Sequence, residues 1–103
     1  MVTGNIMEYD TSLACGGGIY GATDEYNTRG PGPLVFNNII RYNHASVGGG
    51  GISYGHGAWG IVINNTIYGN GAGKGGGFFY YGSYGTIVSN CIFWNNFMDL
   101  FSR

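Results

Sequence analysis

The chain is built on a repeat, and the repeat limits it to folds that stack. Three glycine runs each end in an apolar residue: Gly16-Gly17-Gly18-Ile19, Gly49-Gly50-Gly51-Ile52 and Gly75-Gly76-Gly77-Phe78. Four asparagine-led segments interleave with them, starting at Asn5 (NIMEYD), Asn38 (NIIRYN), Asn65 (NTIYGN) and Asn90 (NCIFWN). They share the pattern Asn-x-apolar-x-x-Asn/Asp. The leading Asn recurs at spacings of 33, 27 and 25 residues. The last two are close to one coil of a solenoid. The first is longer by about one loop. Residues 24–33 (DEYNTRGPGP) are the expected insertion, since they hold both prolines and much of the charge.

Within a repeat the period is two, which means strand with one face buried. Ile61, Ile63, Asn65 and Ile67 fall on one side, and Val62, Asn64 and Thr66 on the other. Val88, Asn90 and Ile92 follow the same phase, as do Phe36, Asn38 and Ile40. This phase places Asn inward between apolar residues. A buried amide needs partners. Parallel coils in register supply them, because like side chains then lie one strand spacing apart. The pattern predicts one ladder of Asn5, Asn38, Asn65 and Asn90. It predicts a second turn position at Asp10, Asn43, Asn70 and Asn95. The glycine runs mark corners where the backbone takes positive φ or passes close to the next coil. No segment holds a capped helical period, and only Phe97 to Arg103 offers a short helical turn.

Composition fits a folded all-β chain of one small domain at most. Of 103 residues, 22 are Gly and two Pro, a share that alone suggests disorder. Against that, 44% are hydrophobic and 17% aromatic, too apolar for a solvated tail. Ile, Val and Thr together number 21 against three Leu, which favours strands. The net charge of −1 lacks the basic footprint that nucleic acid or an anionic membrane requires. No apolar stretch approaches the roughly 18 residues of a membrane span. The opening Met1-Val2-Thr3-Gly4-Asn5 does not read as a secretory signal.

Glycine run, inward Asn and apolar ladder, repeated in order over roughly residues 4 to 96, resemble the right-handed parallel β-helix repeat proteins of the pectate lyase-like superfamily. The resemblance implies an all-β, single-stranded right-handed parallel β-helix of three to four coils. The coils would begin near Asn5, Asn38, Asn65 and Asn90. It further implies a secreted or cell-surface bacterial protein. Three coils and a partial fourth lie near the minimum for a solenoid, and open ends expose backbone and core. The expectation is therefore an internal piece of a longer protein. The alternative is that residues 97–103 fold over the last coil as a cap.

Catalysis on this fold needs carboxylates, and they are scarce. The acids are Glu8, Asp10, Asp24, Glu25 and Asp99, with none between residues 26 and 98. The resemblance implies a calcium-binding carboxylate cluster for a lyase, and calcium wants six to eight oxygens. Glycosidase pairs must sit roughly 5 to 9.5 Å apart. No acid recurs at one position in the next coil, so a complete lyase or hydrolase site is not expected. No cofactor is expected either, and Ca2+ enters by resemblance alone. His44 and His56 lack companion ligands and are read as exposed turn residues. Arg41 and Lys74 are isolated cations that could meet an acidic sugar or simply be solvated. Cys15 and Cys91 lie about three coil spacings apart, roughly 14 Å, beyond the ~7 Å that a disulfide spans, so both are expected free. Gly55-His56-Gly57-Ala58-Trp59-Gly60 matches G-x-G-x-x-G but precedes no helix, so it is no dinucleotide site.

The aromatics are the best functional pointer. Tyr20, Tyr68, Phe79, Tyr81 and Phe93 are expected to face outward as candidate ligand-binding residues. Tyr84 lies in the same coil as Tyr81, Trp59 and Trp94 sit in turns, and Tyr54 and Tyr80 face inward. An outward stripe suits stacking on sugar rings; the competing reading is packing between coils. The expected function is a non-catalytic structural or carbohydrate-contacting segment. The alternative is a fragment of a polysaccharide lyase or glycoside hydrolase whose catalytic coils lie elsewhere. Expected partners are polysaccharide and either flanking coils or a second copy stacked end to end.

Overall fold

The computed structural model describes residues 1–22, 30–55, 57–81, 85–97 and 100–102. In chain order its strands are β1 (Val2–Thr3), β2 (Ile6–Glu8), β3 (Thr11–Ser12), β4 (Ile19–Ala22), β5 (Gly30–Phe36), β6 (Ile39–Arg41), β7 (His44–Gly48), β8 (Ile52–Gly55), β9 (Ala58–Ile63), β10 (Thr66–Tyr68), β11 (Gly71–Lys74), β12 (Phe78–Tyr81), β13 (Ile87–Ser89), β14 (Ile92–Trp94) and β15 (Leu100–Ser102). The described residues contain no helix. The first sheet stacks β1-β5-β9-β13 and the second β2-β6-β10-β14. The third stacks β3-β7-β11 and the fourth β4-β8-β12-β15. The pairings are parallel throughout. The chain visits the four sheets in turn and then starts again, the fourth round showing no third-sheet strand among the described residues. This is a solenoid-like parallel β fold, compatible with a parallel β-helix.

The first, second and fourth sheets send columns of side chains into a common core. The first sheet contributes the column Val2, Val35, Val62 and Val88, and the second Met7, Ile40, Ile67 and Phe93. The fourth contributes Ile19, Ile52 and Phe78. Val35, Ile40, Ile52, Val62, Ile67 and Phe78 are fully buried. Burying one such side chain is worth about 1.5–3 kcal/mol.

Between the first and second sheets, and again between the second and third, the backbone turns through a residue at positive φ. Gly4, Asn37, Asn64 and Asn90 occupy the first corner, with φ of 69°, 61°, 58° and 50°. Tyr9, Tyr42, Gly69 and Asn95 occupy the second, with φ of 61°, 56°, 68° and 54°. A left-handed residue breaks the alternation of a strand, and the expected phase is corrected accordingly. Val62 is buried while Ile61 and Ile63 are half-exposed; inward facing resumes at Asn65, beyond the Asn64 corner.

The residue after each corner carries the hydrogen bonds that join layers. Asn38 Oδ1 accepts from the Asn5 main-chain N–H at 3.0 Å, and Asn65 Oδ1 from that of Asn38 at 3.0 Å. Asn38 Nδ2 donates to Val2 O, Phe36 O and Asn65 Oδ1 at 2.9, 3.1 and 3.1 Å. At the second corner Asp10 N–H donates to Asn43 Oδ1, Asn43 N–H to Asn70 Oδ1 and Asn70 N–H to Asn96 Oδ1, at 3.0, 2.9 and 2.9 Å. Two expected members are corrected. Asn90 is exposed at the corner, and the pairing Ser89↔Ile63 brings Cys91 opposite Asn65. Asn95 is likewise the corner residue, and Asn96 fills the ladder. The fourth repeat therefore starts its ladder at Cys91, one residue later than its first Asn suggests.

The glycine runs turn the chain from the third sheet into the fourth. Gly49 has φ 67°, and a Cβ on Gly50 would collide with the carbonyls of Gly71 and Gly76 in the next layer. The insertion is also located more closely. Registers are offset by 33 residues at Ala22↔Gly55 and by 28 at Gly30↔Ala58, so the extra length lies between Ala22 and Gly30. Residues 23–29 are outside the described residues. Residues 30–33 belong to β5, not to a loop, and the register shift between Pro31 and Leu34 accommodates the prolines. The Tyr54 hydroxyl donates to Pro33 O at 2.5 Å and ties this segment to the core. Its ring occupies the space left by Gly21, Gly32 and Gly60. Burial pushes the Tyr54 hydroxyl pKa up. Within the stretch that offered a short helical turn, Leu100–Ser102 form β15 instead, and its backbone pairs with β12.

Candidate functional site

The outer face of the second sheet carries two columns of side chains in register. One is Ile6, Ile39, Thr66 and Ile92; the other is Glu8, Arg41, Tyr68 and Trp94. They point outward because β2, β6, β10 and β14 turn Met7, Ile40, Ile67 and Phe93 inward. Tyr9 and Tyr42 flank the second column from the corner. Ile6, Ile92, Tyr9 and Trp94 are each 60–73% exposed and lie together on this face. An open concavity of about 410 Å³ lies against Thr66, Tyr68, Ile92 and Trp94.

The aromatic rings form a continuous run down the layers. Tyr9 stacks on Tyr42 with centroids 5.5 Å apart. Tyr42 meets Tyr68 edge-on at 5.4 Å, and Tyr68 meets Trp94 at 6.5 Å. The Tyr42 ring lies over Gly69, where a Cβ would come within 2.7 Å of it. The charges on this face are consumed internally. Arg41 Nε donates to Glu8 Oε2 at 2.6 Å, and Arg41 Nη1 donates to the Tyr68 hydroxyl at 2.8 Å. The guanidinium also sits 6.0 Å from the Tyr68 ring centroid. The Tyr68 and Glu8 hydrogen bonds both raise the Arg41 pKa, so it is a fixed cation. The face is thus aromatic, apolar and locally neutral.

The expected ligand residues do not converge as a set. Tyr68 lies in the run. Phe93 does not: it is in register with Ile67 and packs against the core, and Trp94 holds the outward place beside Tyr68. Trp94 is a strand residue rather than a turn residue, as is Trp59, which is in β9. Tyr20 is outward but on the fourth sheet, 45% exposed. Phe79 is in register with Ser53 and is only 3% exposed; its ring lies on Gly48 of the glycine run. Tyr81 pairs by its backbone with Gly55 in β12, and its side chain lies outside the described residues, as do His56 and Tyr84. The residues missed were Tyr9, Tyr42 and Trp94. Aligning the fourth repeat on Asn96, rather than on Asn90 or Asn95, brings Trp94 to the place of Tyr68.

No group of three or more His, Cys, Asp or Glu that could hold a metal occurs among the described residues. Asp24, Glu25 and Asp99 fall outside them, and Glu8 is engaged by Arg41. His44 is exposed at the start of β7, not in a turn. Lys74 ends β11. Cys15, whose backbone pairs in parallel with Gly48, and Cys91 are free thiols. No helix among the described residues is long and apolar enough to cross a membrane. No family model, curated protein or solved structure matches the chain.

Proposed function

We propose that the chain is a right-handed parallel β-helix segment of three to four coils that contacts carbohydrate through the outer face of its second sheet. On this reading it is a non-catalytic part of a secreted or cell-surface protein. The observation that carries it is the cost accepted to keep rings on this face. Tyr9 and Tyr42 are bulky residues held at positive φ, in a corner where the next layer uses Gly69. That conformation costs an L-residue roughly 1–2 kcal/mol, and strained positions cluster at ligand sites. Stacking of Tyr9 on Tyr42 offsets about 0.5–1.5 kcal/mol of it. Rings at successive layers offer flat apolar surfaces that sugar C–H faces can cover. Because Glu8 neutralises Arg41, the favoured ligand is an uncharged polysaccharide rather than a polyuronate.

Affinity electrophoresis through gels cast with neutral or acidic polysaccharides tests the reading. Retardation by a neutral polysaccharide is expected, weakened about tenfold in Trp94→Ala, roughly the loss of one stacked aromatic contact. Migration unaffected by every polysaccharide, or retardation unchanged in Trp94→Ala, overturns it.

A further inference from the structure

Of the eleven asparagines, Asn70 alone is followed by glycine. An Asn-Gly pair is the sequence most prone to succinimide formation, because glycine leaves the following amide nitrogen unhindered. The Gly71 nitrogen attacks Asn70 Cγ, ammonia leaves, and water opens the ring to aspartate or isoaspartate. The reaction needs no reagent but water. It requires a free Gly71 N–H, a side chain able to swing onto it, and water access.

The folded chain denies all three. Gly71 N–H donates to Asn43 O at 2.9 Å. Asn70 Nδ2 donates to Ile40 O at 3.0 Å and to Asn96 Oδ1 at 2.9 Å. Asn70 Oδ1 accepts from Asn43 N–H at 2.9 Å and Asn43 Nδ2 at 3.1 Å. The residue is 1% exposed. The two atoms that must bond are both held in place by neighbouring layers.

We infer that Asn70-Gly71 is a latent modification site, inert while the layers are stacked and released when they separate. Conversion is then a permanent mark of unfolding. Aspartate at position 70 loses the donor to Ile40 O and faces that carbonyl with an acceptor. Isoaspartate also lengthens the main chain between β10 and β11 and breaks the register of the next corner. A chain converted while open cannot restack as before.

Peptide mapping of the chain incubated at mildly alkaline pH, with and without denaturing urea, tests this. Conversion at Asn70 is expected to be at least about tenfold faster in urea, since protected sites react through the open state. Gly71→Ala separates sequence from fold. Its Cβ would meet only His44 Cδ2, at 3.4 Å, so the variant is expected to fold. It is expected to abolish the fast conversion in urea. Equal rates in folded and unfolded chains overturn the protection. Conversion in urea no faster at Asn70 than at the other asparagines overturns the site. Asn70→Asp mimics the product, and a melting temperature equal to the parent's would overturn the claim that conversion prevents restacking.

Discussion

At the scale of single residues, the layers are joined by side chains that both give and accept. Asn at a ladder position donates and accepts through one amide; cysteine cannot match it. In the fourth layer Cys91 Sγ makes only long contacts to Val62 O, Ser89 O and Asn65 Nδ2, at 3.5, 3.3 and 3.8 Å. Restoring the amide with Cys91→Asn supplies an acceptor for the Asn65 N–H and a stronger donor to Val62 O. Urea unfolding is expected to show a gain of about 1 kcal/mol, the net worth of one good hydrogen bond. A loss would mean that Asn65 does not face position 91. The corner tyrosines make the opposite prediction. Tyr42→Gly relieves positive φ but removes the stacked ring, so stability should shift by less than about 1 kcal/mol. Retardation by polysaccharide should nevertheless weaken, as seen by the same electrophoresis, if the ring is kept for binding.

At the scale of elements, the strands are too short to fix their own phase, and the corners fix it for them. The glycine runs and the Asn spacing suffice to indicate stacked parallel strands. The facing of individual residues does not follow from them, because strict alternation cannot be carried through Asn64 and Asn90. The signal lies in the doubled residues Asn37-Asn38, Asn64-Asn65 and Asn95-Asn96: the first takes the left-handed conformation that Asn tolerates, the second turns inward. Asn90-Cys91 follows that rule with its ladder residue replaced, which is why Asn90 resembles a member. The candidate site is half legible for the same reason. Tyr68 is outward as its repeat position suggests, while a one-residue slip exchanges Phe93 for Trp94. The prediction at this scale is a contrast between neighbours in β9. Val62→Asp buries an unpaired charge and should abolish folding, read by loss of the cooperative transition, whereas Ile61→Asp should leave it. Equal tolerance at both positions would reject an inward Val62 and an outward Ile61.

At the scale of the whole molecule, stability comes from repetition. Val over Val and Asn over Asn bring matching groups together at each layer, so each layer acts as template for the next. Stacked-repeat proteins draw their stability from such neighbour interfaces. The same stacking places the outward columns in line, and the aromatic face exists only because strands from separate repeats lie side by side. The carbohydrate contact proposed for that face thus depends on the register between layers. The most direct test is a cross-link between outward register partners, made in a Cys15→Ser, Cys91→Ser background. Thr66 and Ile92 are opposite each other in β10 and β14. Thr66→Cys with Ile92→Cys should oxidise to an intramolecular disulfide, since adjacent strands lie about 4.8 Å apart. Tyr68→Cys with Ile92→Cys, two residues out of register, should not. Efficient bridging in the second pair and none in the first would contradict the layered account.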